Sequence, residues 1–367
     1  MKILYLTPRI NDEGGVARVL AIKTSYLIQK WGYEIAIGTQ NKGNTNLFFD
    51  FNANIQLFDV ALPTNRVSLI FAYKKNVQKW IRSFQPDVIV VCDNGLKGFL
   101  FPLLVATKIP LVFEVHGSKY NEEFRHSSNW VSNFLHSCKY KLRNFGAQKF
   151  DRFVALSKES AAEWNNITPI IISNPLVFNS NVSSTNESKI VIFVGRHSHE
   201  KGIDRLLSIW KNVHQKHPDW TLEIYGKIDA SETYKKAAKQ MKIDSSIRFF
   251  TPVIDIQNKY ANASILVMTS RCEGFPMVLL EAMSCRLPVV AYDCPIGPRS
   301  IITNNEDGFL IEDGNSERFA SQLNALIEDE LLRKKMGIRA QENIQRYTLE
   351  IIMEQWNQFF SSIAVQS

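Results

Sequence analysis

The sequence predicts an α/β protein: two doubly wound parallel sheets, each with helices on both faces. Three observations predict it. Short apolar runs alternate with amphipathic stretches from end to end, as strands do with crossover helices. The 367 residues are too many for one ordinary core and suit two domains. Midway lies NPLVFNSNVSSTNESK (174–189), rich in Asn and Ser and without helical period, which reads as a linker.

Before that linker the strand-like runs are 2–6, 34–38, 88–92, 111–115 and 152–156. After it they are 190–195, 221–226, 247–250, 263–268, 288–292 and 308–311. Between them, helical spacing joins Val16, Val19, Leu20, Leu27 and Trp31, and again Ile203, Leu206, Leu207, Trp210 and Val213. The expected domains are 1–178 and 188–349. RYTLEIIMEQWNQFFSSIA, near the end, has the pattern of an amphipathic helix, which pattern alone assigns to neither domain. Ligands of open α/β sheets bind at the carboxyl ends of strands, so two such sheets facing one another would form a deep cleft.

Composition narrows the class. Apolar residues are 45% and charged residues 22%, a globular balance, and no run reaches the roughly 18 apolar residues of a membrane span. The opening MKILYLTPRI breaks at Pro8, too soon for a signal peptide, and reads as a buried strand. Five scattered cysteines without a C-x-x-C pair suit a reducing compartment and small buried roles. A cytoplasmic protein is expected. The net charge of +7 is lopsided: residues 1–180 hold 21 Lys+Arg against 13 Asp+Glu, and the remainder 22 against 23. A negatively charged partner is therefore expected on the first half alone, either nucleic acid or an anionic membrane. Lys74, Lys75, Lys79 and Arg82, then Lys139, Lys141, Arg143 and Lys149 interleaved with Trp130, Phe134, Tyr140 and Phe145, suit anionic headgroups. The same residues also fit core-facing helices with a solvated basic side.

Chemistry concentrates in four places. RCEGFPMVLLEAMSCRLPVV (271–290) starts at a strand's carboxyl end. Gly274 permits an unusual turn, and Pro276 suits a first helical position. The free amides of Phe275, Met277 and Val278 with the helix dipole favour a phosphate. Glu273 precedes this helix and can reach a group beside that phosphate. Glu281 lies among apolar neighbours, where a bare charge is costly. It either accepts the vicinal hydroxyls of a ribose, or pairs with a lysine or the backbone. VGRHSHEKGIDRLL (194–207) puts Arg196 and Lys201 at another strand end, as a diphosphate clamp or as a solvated basic loop. His197 and His199, lacking a third ligand nearby, read as surface histidines. NDEGGVARVL (11–20) places Gly14-Gly15 after the first strand, as a close approach to a ligand or a plain tight turn; it is not G-x-G-x-x-G, so nicotinamide is disfavoured. FEVHGSK (113–119) ends a strand at His116, with Gly117 leaving room for a ligand. No Asp-x-Asp pair occurs, so no metal site is expected and cations for a diphosphate must come from side chains.

Taken together these strings resemble a family 4 retaining glycosyltransferase of the GT-B fold, bacterial polysaccharide or lipid-linked glycan type, over nearly the whole chain. The most specific part is E-x7-E, EGFPMVLLE; GRHSHEKG, Gly14-Gly15, E-x-H-G, VALSKES and ISNPLVF accompany it in order. The resemblance implies two Rossmann-like domains around a central cleft, with the helix of 350–367 crossing back to the first. It implies a metal-independent enzyme using a UDP-sugar. Glu281 would bind the ribose, Glu273 the donor sugar, and Arg196 and Lys201 the diphosphate. Backbone at Gly274, Phe275 and Met277 would hold sugar and phosphate, Gly15 would approach the diphosphate, and His116 would touch the transferring sugar. Gly226 stands in the base-side loop, where the family often has G-x-G and this chain has Gly226-Lys227-Ile228; in PIGPRSII, Ser300 replaces a glutamate and takes no role. The implied acceptor is a glycan or a polyprenyl-diphosphate-linked sugar, the implied location the inner face of the plasma membrane.

Three other readings use part of this pattern. A non-hydrolysing UDP-sugar epimerase fits E-x7-E and the basic first half less well. A nucleotide-sugar-binding protein without turnover leaves the intact Glu, Arg and Lys set unused. A nucleic-acid binder accounts for the charge and not for the glutamate pair.

Overall fold

The structure is a computed structural model that describes residues 1–41, 46–61, 63, 65–120, 130–176, 178 and 182–364, with backbone alone at 66–67, 130–135 and 364. Two compact units emerge. The first takes Met1–Tyr120, Ser128–Pro175 and Leu349–Ser367; the second is built on Leu176–Thr348.

The first unit carries a parallel sheet of β1 (Lys2–Leu6), β2 (Glu34–Thr39), β3 (Gln56–Asp59), β4 (Val88–Val91), β5 (Leu111–Glu114), β6 (Arg152–Ala155) and β7 (Ile170–Ile171), ordered β3-β2-β1-β4-β5-β6-β7. The second carries β8 (Ile190–Val194), β9 (Thr221–Tyr225), β10 (Ile247–Phe250), β11 (Ile265–Met268), β12 (Val289–Asp293) and β13 (Gly308–Glu312), ordered β10-β9-β8-β11-β12-β13. Chain direction from strand to strand reverses between β1 and β4 in one sheet and between β8 and β11 in the other. Those are the switch points where doubly wound sheets hold ligands.

Alternation of side chains gives each sheet two apolar faces. On one face of the first, Leu4, Leu6, Ile89, Val91, Phe113 and Phe153 join Tyr73, Val77, Trp80 and Phe84 of the helix Arg66–Phe84, with Phe99, Phe101 and Ala147 from three further helices. The other face meets the helix Gly15–Trp31, which packs against the helix Leu349–Ala364. The last helix thus belongs to the first unit. In the second unit Ile203, Leu206, Leu207, Trp210 and Val213 are all buried against β8, β9 and β11, on the face their spacing predicts.

Three expectations change. β3 and β7 went unread because both are short edge strands: β3 mixes polar with apolar residues and is mostly exposed, and β7 is two isoleucines long and wholly exposed. The later part of 174–189 is not loose. Ser184 N–H donates to Cys285 O at 2.8 Å, and Asn186 Nδ2 to Arg286 O at 3.0 Å, while Arg333 Nε donates to Asn186 O at 2.9 Å. Pro276 is the N-cap, in extended conformation, and the helix begins at Met277, one residue later than expected. No described helix is long and apolar enough to cross a membrane.

Candidate active site

In the second unit the two charged loops flank the switch point, one after β8 and one after β11. They are bonded to each other along their length. Lys201 Nζ donates to Glu273 Oε1 at 2.7 Å and Oε2 at 2.9 Å, with Glu273 only 9% exposed. Arg196, largely exposed, pairs with Glu200 one turn on. Both cations expected for a diphosphate therefore have carboxylate partners already, which anchor them near the strand ends.

Arg271 fastens the loops further. Its Nη1 donates to His199 O at 2.6 Å and to Asp204 Oδ1 at 2.8 Å, and its Nη2 to Asp204 Oδ2 at 2.6 Å. Its backbone N–H donates to Glu200 O at 2.8 Å. Burial raises the Asp204 carboxyl, but Arg271 outweighs it and holds the group below its usual value. Thr269 Oγ1 donates to Gly202 O at 2.9 Å, and Gly202 sits at φ 68, where a Cβ would lie 2.0 Å from Thr269 O. Only glycine allows that approach. Gly226 has a similar constraint: a Cβ there would stand 1.9 Å from Gly195 O, so its neighbour is the β8 loop.

Glu281 is 2% exposed and accepts from the Tyr260 hydroxyl at 3.1 Å. The helix Met277–Ser284 has no side-chain cap at its N-terminus, which leaves first-turn amides, those of Met277 and Val278 among them, facing the strand ends. Phe275 is buried against the Tyr347 ring, centroids 5.5 Å apart, and Gly274 and Val278 are half-buried. His199 is exposed as expected, but His197 is buried, packed on Phe249 at 5.7 Å, and burial lowers its pKa. It follows β8 inward because its N–H donates to Lys227 O at 2.9 Å.

The first unit presents Gly14 and Gly15 beyond β1. Gly14 N–H donates to Asp12 Oδ1 at 3.0 Å, and above Gly15 there is open space. His116 follows β5. Its side chain is 3% exposed, its N–H donates to Asn94 Oδ1 at 3.3 Å, and its Nε2 stands 3.4 Å from Glu114 Oε1 with no hydrogen bond. Glu114 also takes the fully buried Lys23, and Cys92 Sγ donates to it at 3.4 Å. Burial raises the Glu114 carboxyl, but Lys23 outweighs it and holds the group below its ordinary value; burial lowers the His116 imidazole, with Lys23 adding to it, against the opposite pull of Glu114. Cys92, Glu114 and His116 present donor atoms within 4.8 Å of one another. The cation beside them is Lys23, set over the rings of Trp356 at 4.0 Å and Tyr5 at 5.0 Å.

Lys23, Glu114, Asp204 and Arg271 were missed from sequence. The signal for Lys23 was present: it stands in the apolar stripe of Val16, Leu20 and Leu27, and Glu114 interrupts an apolar strand. A lysine and a carboxylate at core positions call for each other.

Fold and site define a class: a two-unit α/β protein whose second unit brings two charged strand-end loops and an uncapped helix N-terminus to its switch point. Comparison with known proteins then narrows it. Residues 178–343 match the family model "Glycosyl transferases group 1", and residues 13–175 match "Glycosyltransferase Family 4". An amylovoran biosynthesis glycosyltransferase, AmsD of Erwinia amylovora, is 29% identical over 97% of this chain and 98% of its own. The lipopolysaccharide 1,6-galactosyltransferase of Escherichia coli K12 is 26% identical over 70% of this chain and 69% of its own. The crystal structure of Anabaena HepE in complex with UDP and glucose shares the fold, with a TM-score of 0.77 at 20% identity over 99% of this chain and 100% of that one. The chain belongs to the family 4 glycosyltransferases, its second half being the group 1 transferase domain.

Proposed function

We propose that the protein is a retaining glycosyltransferase that moves a hexose or N-acetylhexosamine from a UDP-sugar to a glycan or lipid-linked oligosaccharide in bacterial cell-surface polysaccharide or lipopolysaccharide synthesis. One observation carries the donor site: the Lys201–Glu273 pair, held between two strand-end loops at the switch point and beside an uncapped helix N-terminus. The activities of the similar glycosyltransferases support the surface-glycan setting, and the HepE complex supports UDP.

In this reading Lys201, Arg196 and the amides at Met277 and Val278 take the diphosphate, Glu281 the ribose and Glu273 the donor sugar. Gly226 borders the base, and Gly274 and Phe275 offer backbone to the sugar. His116 and Gly15 contact substrate from the first unit. The bond from the sugar's anomeric carbon to the phosphate oxygen breaks, and the acceptor oxygen bonds to that carbon on the same face. Its proton passes to the departing phosphate. Charge grows on the leaving diphosphate, so cations already fixed in place stabilise the transition state more than the bound donor. No divalent metal is assigned a part. A lipid-linked acceptor would bring the enzyme to an anionic membrane surface.

The test is incubation with a panel of UDP-sugars and glycan or polyprenyl-diphosphate-linked acceptors, with the linkage read by NMR. Transfer with retained configuration is expected. Interconversion of the free UDP-sugar would favour an epimerase, and donor binding without product a non-catalytic protein.

A further inference from the structure

The charge excess of the first half has a definite address. The helices covering the Leu4/Leu6 face of the first sheet are Arg66–Phe84, Leu96–Phe99, Phe101–Leu104 and Trp130–Ala147. Together they contain nine Lys and Arg and no Asp or Glu. The opposite face differs: its helices Gly15–Trp31 and Leu349–Ala364 hold three cations, one of them the buried Lys23, and two glutamates.

The basic face is apolar as well. On the helix Arg66–Phe84, the residues opposite Tyr73, Val77, Trp80 and Phe84 are Phe71, Lys75, Gln78 and Arg82, one outward stripe at helical spacing. Phe71 is 70% exposed, and Lys75, Lys79 and Arg82 line a shallow open groove. None of Lys74, Lys75, Lys79 and Arg82 has a carboxylate partner among the described residues. Leu103 from the neighbouring helix is 53% exposed, and Phe145, under the Lys149 ammonium at 5.2 Å, is 48% exposed. Arg143, counted from sequence among the outward cations, is instead buried, its Nη1 donating to Lys119 O at 2.7 Å; Trp130 and Phe134 lie outside the described side chains.

We infer that this four-helix face of the first unit docks on an anionic phospholipid bilayer, cations at the headgroups and Phe71, Leu103 and Phe145 entering the acyl boundary. The inference rests on the lipid-linked reading only for why such docking is useful. Unpartnered cations without intervening carboxylates supply the long-range attraction, and bulky apolar side chains between them supply what a polyanion would leave unused. Leucine offers nothing to stack on a base, which sets a bilayer above nucleic acid.

Flotation of the full chain with phosphatidylglycerol/phosphatidylcholine vesicles, with phosphatidylcholine alone and with soluble heparin as the competing polyanion tests it. The protein should float with the anionic vesicles at low salt and not with the neutral ones. Lys75→Glu/Arg82→Glu should weaken partition by roughly tenfold or more, and Phe71→Ser/Phe145→Ser should weaken it while leaving heparin binding unchanged. All these side chains point outward, so UDP binding by calorimetry should match the unaltered protein and marks each variant as folded. No flotation of the unaltered protein, or flotation unaffected by both pairs, overturns the docking face. Heparin binding as tight as vesicle binding, with the Phe pair silent, replaces it with a polyanion site. A protein that floats but binds no UDP keeps this face and loses the donor reading instead.

Discussion

At the scale of single residues, buried charge decides most. Lys23 and Glu114 are buried together, and breaking such a pair from one side leaves an uncompensated ion. Lys23→Met should cost about 3–5 kcal/mol in urea unfolding, and Lys23→Met with Glu114→Gln should recover much of that loss. His116 adds a pH dependence. Its folded pKa lies below the ordinary 6.5, so below that value the unfolded chain binds a proton the folded one refuses. Stability is therefore full above 6.5 and falls as pH drops toward the folded value. His197 is shifted the same way, so His116→Gln should reduce the loss of melting temperature between pH 7.5 and 5.5 without abolishing it. Lys201→Ala should lower turnover by roughly 100-fold or more; near-normal turnover would remove Lys201 from the chemistry.

At the scale of elements, the two loops beyond β8 and β11 work as one part. Arg271 and Asp204 touch neither expected ligand residue by side chain, yet they hold the His199–Lys201 turn against the loop that bears Glu273. Arg271→Lys keeps a charge and loses the fork that reaches three acceptors. Turnover should drop about tenfold or more through misplacement of Lys201, and the crystal structure of the variant should show the Lys201–Glu273 distance lengthened. The charged motifs of these loops were legible in sequence because strand ends and helix starts fix where a loop must lie. Their partners were not. Glu273 for Lys201 depends on which strands are neighbours, because the two residues stand 72 apart in number and β8 and β11 are adjacent only in the sheet; Glu200 for Arg196 and Tyr260 for Glu281 depend on how a loop and two helices turn. Apolar runs likewise announced the central strands, whereas β3 and β7, exposed at the edges, had no burial to announce them.

At the scale of the molecule, the last helix ties chain end to chain start. Trp356 covers Lys23, and Tyr33 OH donates to Asn357 Oδ1 at 2.8 Å. Removing Leu349–Ala364 should expose the Lys23–Glu114 pair and loosen the first unit, so limited proteolysis should cut within residues 1–175 while 182–348 persists. In the proposed donor site UDP sits on the second unit with its ribose at Glu281 and its diphosphate at Lys201. A crystal structure with UDP tests it most directly. Ribose hydroxyls are expected within hydrogen-bond distance of Glu281, and phosphate oxygens at Lys201 and the Met277 and Val278 amides. UDP elsewhere, with Glu281 held by Tyr260 and turned from the nucleotide, would contradict it.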